Sequence, residues 1–102
     1  MIALVKEKRE QIAEHCQRLN VRRLDIFGSA ATGAFDPEKS DLDFLVEFNE
    51  HNTPGIADRY FDLEKSLINL FERKVDLVVA RHFENPFFRK NVEASKEPVY
   101  AT

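Results

Sequence analysis

The chain has 102 residues, 43 % hydrophobic and 32 % charged, with a net charge of −3; this fits one folded domain over residues 1–102 and excludes a disordered chain. The acidic balance argues against a free-standing nucleic-acid binder working through a basic surface. A single cysteine, Cys16, precludes an internal disulfide and points to a reducing cytoplasm, and no apolar run reaches the length of a membrane span.

The first segment carries Ile2, Val5, Ile12, Ala13, Cys16 and Leu19 at three- and four-residue steps, the pattern of an amphipathic helix of about five turns. Charges from Lys6 to Glu10 break any signal-peptide core there. Val21 to Phe27 reads as a strand stopped by Gly28, and Ser29 to Ala34 as a tight turn opening a brief helix. Asp36-Pro37-Glu38-Lys39-Ser40 is a turn. From Asp41 to Phe48 a strand alternates, with Leu42, Phe44, Val46 and Phe48 on one face and Asp41 and Asp43 on the other.

Thr53-Pro54 has the form of a helix N-cap followed by proline, with the helix reaching about Phe71 and burying Ile56, Tyr60, Leu63, Leu67 and Leu70 or Phe71. Val75 to Val79 is a third strand with Asp76 alone among apolar neighbours. Asn85-Pro86 opens a last helix carrying Phe88 and Val92, and Pro98 ends the regular structure. Strands alternating with helices give a layered α/β domain.

The chemistry concentrates on three carboxylates. Residues two apart on a strand point the same way with Cα atoms about 6.5–7 Å apart, so Asp41 and Asp43 can converge on a cation. All-oxygen ligands suit Mg²⁺, which takes its remaining positions from water and substrate phosphates. A bare Asp-x-Asp is more often a turn cap and a solvated strand face. Asp76 shifts that balance, because a purely structural strand accommodates an apolar or neutral residue there at less cost. Gly28-Ser29, at a strand end before a short helix, allows close backbone approach to a phosphate.

Leu24 to Gly33, followed by Ser40-Asp41-Leu42-Asp43-Phe44-Leu45-Val46 and then Lys74-Val75-Asp76-Leu77-Val78, resembles the minimal nucleotidyltransferases of the DNA polymerase β superfamily. Their signature is a Gly-Ser pair, a short spacer, an Asp-x-Asp and a third carboxylate on a later strand. The resemblance implies the nucleotidyltransferase fold, with a small mixed sheet of at least three strands flanked by about four helices. It implies that Gly28, Ser29 and Ser40 hold the nucleotide, that Asp41, Asp43 and Asp76 bind Mg²⁺, as two ions, and that Asp76 helps deprotonate the attacking hydroxyl of the acceptor. Two departures stand out. Eleven residues separate Ser29 from Asp41, one more than usual, a difference taken up around Phe35-Asp36-Pro37, and Thr32 occupies a position that is often arginine. Lys39, Arg22 and Arg59 are candidates for the missing cation.

Other reactive residues read more simply. His15, His51 and His82 lack metal-ligand spacing, Cys16 falls on an apolar stripe, and Asp25, opposite Leu24 and Ile26, reads as solvated. Phe83, Phe87 and Phe88 read as core, or as a partner-binding patch if left exposed. Stand-alone minimal nucleotidyltransferases of this kind resemble the antitoxins of toxin–antitoxin pairs, which implies transfer of AMP from ATP to a tyrosine of a HEPN-domain ribonuclease toxin. One alternative is a binding module that neutralises a toxin by contact alone, and another is a small-molecule transferase, disfavoured because such enzymes usually carry a second domain.

Overall fold

The structure is a computed structural model that describes residues 1–33, 36, 40–80 and 85–102. In chain order its elements are α1 (Ala3–Glu7), α2 (Arg9–Arg18), β1 (Val21–Phe27), α3 (Ser29–Thr32), β2 (Leu42–Phe48), α4 (Ile56–Phe71), β3 (Val75–Val79), α5 (Pro86–Ser95) and β4 (Glu97–Ala101). The strands form one mixed sheet in the order β3-β2-β1-β4. β1 runs antiparallel to β2 and to β4, while β2 and β3 are parallel and joined through α4, as a βαβ unit requires.

Alternation along the strands explains the layers. Leu24, Ile26, Leu42, Phe44, Val46 and Leu77 turn to one face, where they are buried with Ile12 and Cys16 of α2 and Leu63, Leu67 and Phe71 of α4. On the other face Phe27 and Leu45 pack with Val92 of α5, flanked by Val78 and Ala80. Burial of Cys16 fits its apolar stripe, and desolvation pushes its thiol up to about 12, so it is inert core.

Four local expectations are corrected. The first helix is two helices, hinged at Lys8, whose φ of −102° and ψ of 9° leave the helical range. Thr53 does not cap α4. Its hydroxyl donates to the Glu50 carbonyl, and Gly55, at φ 91°, precedes the first helical residue Ile56. Asn85 does cap α5, its side chain accepting from the N–H groups of Phe87 and Phe88, with Pro86 in the first turn. Pro98 does not end the regular structure: it lies inside β4, an edge strand, where a missing N–H is tolerated. Asp25 is not solvated. It is 2 % exposed on the face covered by α5, and both its oxygens accept from Arg23 Nε at 2.9 and 3.0 Å.

Candidate active site

The start of β2 sits between the end of β1 and β3. Phe27 is the register partner of Asp43 on one side, and Asp76 is its partner on the other. In parallel strands register partners share a face, so the carboxylates of Asp43 and Asp76 project together on the α5 side of the sheet. They are close enough to share a hydrogen bond, and burial, the Asp76 charge, that hydrogen bond and the Asp41 charge together hold the Asp43 carboxyl up at about 6. Desolvation is the largest cause.

Gly28 closes the other flank. Its φ of 70° and ψ of −147° suit glycine, and a β-carbon built there would meet Asp43 Oδ2 at 2.6 Å. Gly28 N–H donates to Ser95 Oγ at 3.2 Å, and that hydroxyl donates onward to the Asn91 carbonyl. The last turn of α5 thus fixes the backbone immediately before Ser29. Ser29 opens α3, a single turn in which the Ala31 and Thr32 N–H groups return to the Gly28 carbonyl at 3.1 and 3.2 Å. Ser95 was not singled out from the sequence, because nothing local marks a serine at a helix end as a partner for a turn 67 residues away.

Asp41 lies one residue before β2, with its Oδ2 3.6 Å from Lys74 Nζ. Ser40, beside it, accepts from the Asp36 N–H at 3.0 Å and donates its own N–H to the Asp36 carbonyl, closing that turn. Thr32 is exposed at the end of α3, with its hydroxyl on the Ser29 carbonyl. Arg59 does not stand in for the missing arginine. Its guanidinium donates to the carbonyls of Leu19, Asn20 and Asn49 and lies over the Phe48 ring, tying the far ends of β1 and β2. Arg22 pairs with Glu47 at that same far end. Lys39, like Phe35, Pro37, His82 and Phe83, lies outside the described residues. Among the described residues the cation beside Asp41 is Lys74, legible only as a lysine two positions before Asp76.

Among the described residues, no three His, Cys, Asp or Glu side chains stand together as a ready-made metal-ligand set. The pair itself suits a divalent cation. Two carboxylates held together against their repulsion and partly desolvated offer hard oxygen ligands, and a cation would relieve both strains. Asp41 is near enough for its charge to act on Asp43.

A family model described as nucleotidyltransferase domain matches residues 9–99. A Methanocaldococcus jannaschii protein named "Putative protein adenylyltransferase" is 36 % identical over 76 residues, which is 74 % of this chain and 74 % of that protein. A solved structure described as a "putative minimal nucleotidyltransferase" superposes with a TM-score of 0.74 at 33 % identity, covering 91 % of this chain and 90 % of the other. The complex of a tri-AMPylated Shewanella oneidensis HEPN toxin with its MNT antitoxin contains a chain of the same fold, with a TM-score of 0.65 at 17 % identity, covering 96 % of this chain and 73 % of that one.

Proposed function

Because the chain belongs to the nucleotidyltransferase domain family, we propose that residues 1–102 act as one Mg²⁺-dependent domain that transfers AMP from ATP to a protein partner in the cytoplasm. The observation that carries this reading is the register pairing of Asp43 with Asp76 beside Gly28. Gly28, Ser29 and Ser40 take the triphosphate, and Asp41, Asp43 and Asp76 hold two Mg²⁺ ions. Bound there, Mg²⁺ would neutralise charge developing on the transferring phosphoryl group. The acceptor hydroxyl oxygen bonds to the α-phosphorus as the bond from that phosphorus to the α,β-bridging oxygen breaks. Pyrophosphate leaves with the electron pair, and Asp76 helps to remove the hydroxyl proton.

The partner we propose is a HEPN-type toxin, modified on a tyrosine, with this chain as its antitoxin. Its support is the shared fold with an MNT antitoxin seen beside an AMPylated HEPN toxin and the net charge of −3, which does not suit direct nucleic-acid binding. A second reading, neutralisation by contact with little catalysis, is favoured by Thr32 and by the engagement of Asp41 with Lys74. Label transfer from α-labelled ATP to a co-purified partner separates the two. The enzymatic reading expects transfer by the native chain and none by an Asp41→Asn/Asp43→Asn double variant; transfer that persists in the double variant rejects it.

A further inference from the structure

In the parallel register of β2 and β3, Leu42 pairs with Val75 and Asp43 with Asp76. Just before β3, the Lys74 carbonyl accepts from the Leu42 N–H at 3.3 Å, which brings Lys74 alongside Asp41. Residues two apart on a strand share a face, so Lys74 and Asp76 stand on the same side of the sheet as Asp41 and Asp43. The four side chains form two rows: Asp76 beside Asp43, and Lys74 beside Asp41, with Lys74 Nζ 3.6 Å from Asp41 Oδ2. The Lys74 side chain is 72 % exposed and that of Asp41 39 %. An ion pair so long and so open is weakly held, and a divalent cation taking Asp41 displaces the ammonium at little cost.

On the transfer reading above, we infer that Lys74 is a catalytic residue: it yields Asp41 to Mg²⁺ and turns to a non-bridging oxygen of the α-phosphoryl group, neutralising charge as that group moves to the acceptor. Charge balance calls for a further cation there. Two Mg²⁺ ions offset a triphosphate and leave the three carboxylates uncompensated. Position decides which phosphate the lysine serves. The sheet order β3-β2-β1 puts Gly28-Ser29, which follows β1, across Asp41 and Asp43 from Lys74. Two strand spacings, roughly 10 Å, separate the backbones on either side, so an ammonium already drawn to Asp41 stops short of phosphates seated on the turn. What it reaches is the phosphorus held over the carboxylates, the one under attack. Lys74 therefore does not fill the place that Thr32 leaves without an arginine. It serves the transferring group, where a compact charge on a flexible stem can follow the oxygen on which charge develops.

Lys74 is exposed and its replacement should leave the fold intact, so Lys74→Met and Lys74→Arg are the informative variants. Calorimetric titration of the nucleotide-free chain with Mg²⁺ alone reads the first half of the assignment. Removing the competing ammonium in Lys74→Met should tighten Mg²⁺ about threefold, the scale of an open ion pair. Rates of label transfer from α-labelled ATP to the co-purified partner read the second half. In Lys74→Met, kcat should fall about a hundredfold while KM for ATP changes by less than about threefold, the mark of a contact made in the transition state. Lys74→Arg should recover most of kcat. A loss confined to KM would move Lys74 to the β- and γ-phosphates and overturn the assignment, as would an Mg²⁺ affinity that is unchanged or weaker in Lys74→Met. Native transfer with a fully active Lys74→Met chain rejects the assignment alone, whereas absence of transfer by the native chain rejects the transfer reading on which it rests.

Discussion

Gly28 and Asp43 occupy adjoining space so tightly that a single β-carbon on the first would fall 2.6 Å from a carboxylate oxygen of the second. The turn that is to hold phosphate and the residue that is to hold metal are thereby set as one unit. Gly28→Ala must either displace Asp43 or rotate the turn from its φ of 70°. The expected outcome is a folded protein whose transfer rate falls about a hundredfold, the scale of a misplaced catalytic group. Steady-state rates with circular dichroism as the folding control check it, and near-native activity would show that the close approach has no functional consequence.

Asp43 also makes the metal-free protein sensitive to pH. Its carboxyl is raised to about 6 in the fold against an ordinary value near 3.8, so between those two values the native state binds the proton that the unfolded chain has released. Stability therefore falls as pH rises through that window and stays lower above it. Asp43 is only partly buried, so solvent screening cuts the effect to about 1–2 kcal/mol. Asp43→Asn should raise the Tm of metal-free protein by several degrees at pH 7.5 and leave it nearly unchanged at pH 4. Mg²⁺ should raise the native Tm at pH 7.5 and do little for the variant. Equal Tm values for the two proteins at pH 7.5 without metal would contradict the raised Asp43 carboxyl, whose largest cause is burial.

Ser95 holds the Gly28 N–H at 3.2 Å. Ser95→Ala should cost about 1 kcal/mol in stability, the usual value of one hydrogen bond, and should raise the KM for ATP more than it lowers kcat. Ser95→Thr keeps the hydroxyl and should restore both. A stability loss with an unchanged KM would show that Ser95 packs α5 without setting the turn.

The buried pair of Arg23 and Asp25 predicts an asymmetry. Arg23 is half exposed and can reach water, whereas Asp25 cannot. Arg23→Ala should therefore destabilise by about 3 kcal/mol, leaving a buried charge without its partner, while Asp25→Asn should cost less. Urea unfolding measures both, and the reverse order would mean that another cation holds Asp25.

Much of this arrangement was legible in the sequence because it is written in short-range pattern. The strict alternation from Leu42 to Phe48 sets the face of Asp43, and an aspartate in the apolar run at Val75 to Val79 marks β3 as lining a site. Asn85-Pro86 announces α5 by capping chemistry alone. What escaped depends on distant partners. The alternation placed Asp25 opposite Leu24 and Ile26 correctly, but its burial comes from α5 folding over that face and from Arg23. Pro98 looked like a terminator because the free edge that tolerates it exists only once β4 pairs with β1. Hydrophobicity alone leaves Phe87 and Phe88 as either core or an exposed patch; α5 turns only Val92 fully inward and leaves Phe87 78 % and Phe88 40 % exposed. Asp41 and Asp43 share a strand pattern, yet Asp41 falls just outside β2 and meets Lys74, a partner just before the next strand, β3.

The most direct test of the metal site is a crystal structure of the chain with Mg²⁺ and a non-hydrolysable ATP analogue. One ion should be bonded to oxygens of both Asp43 and Asp76, with the triphosphate running along Gly28 and Ser29. An ion that leaves Asp76 outside its ligand shell, or a triphosphate bound away from that turn, would contradict that arrangement.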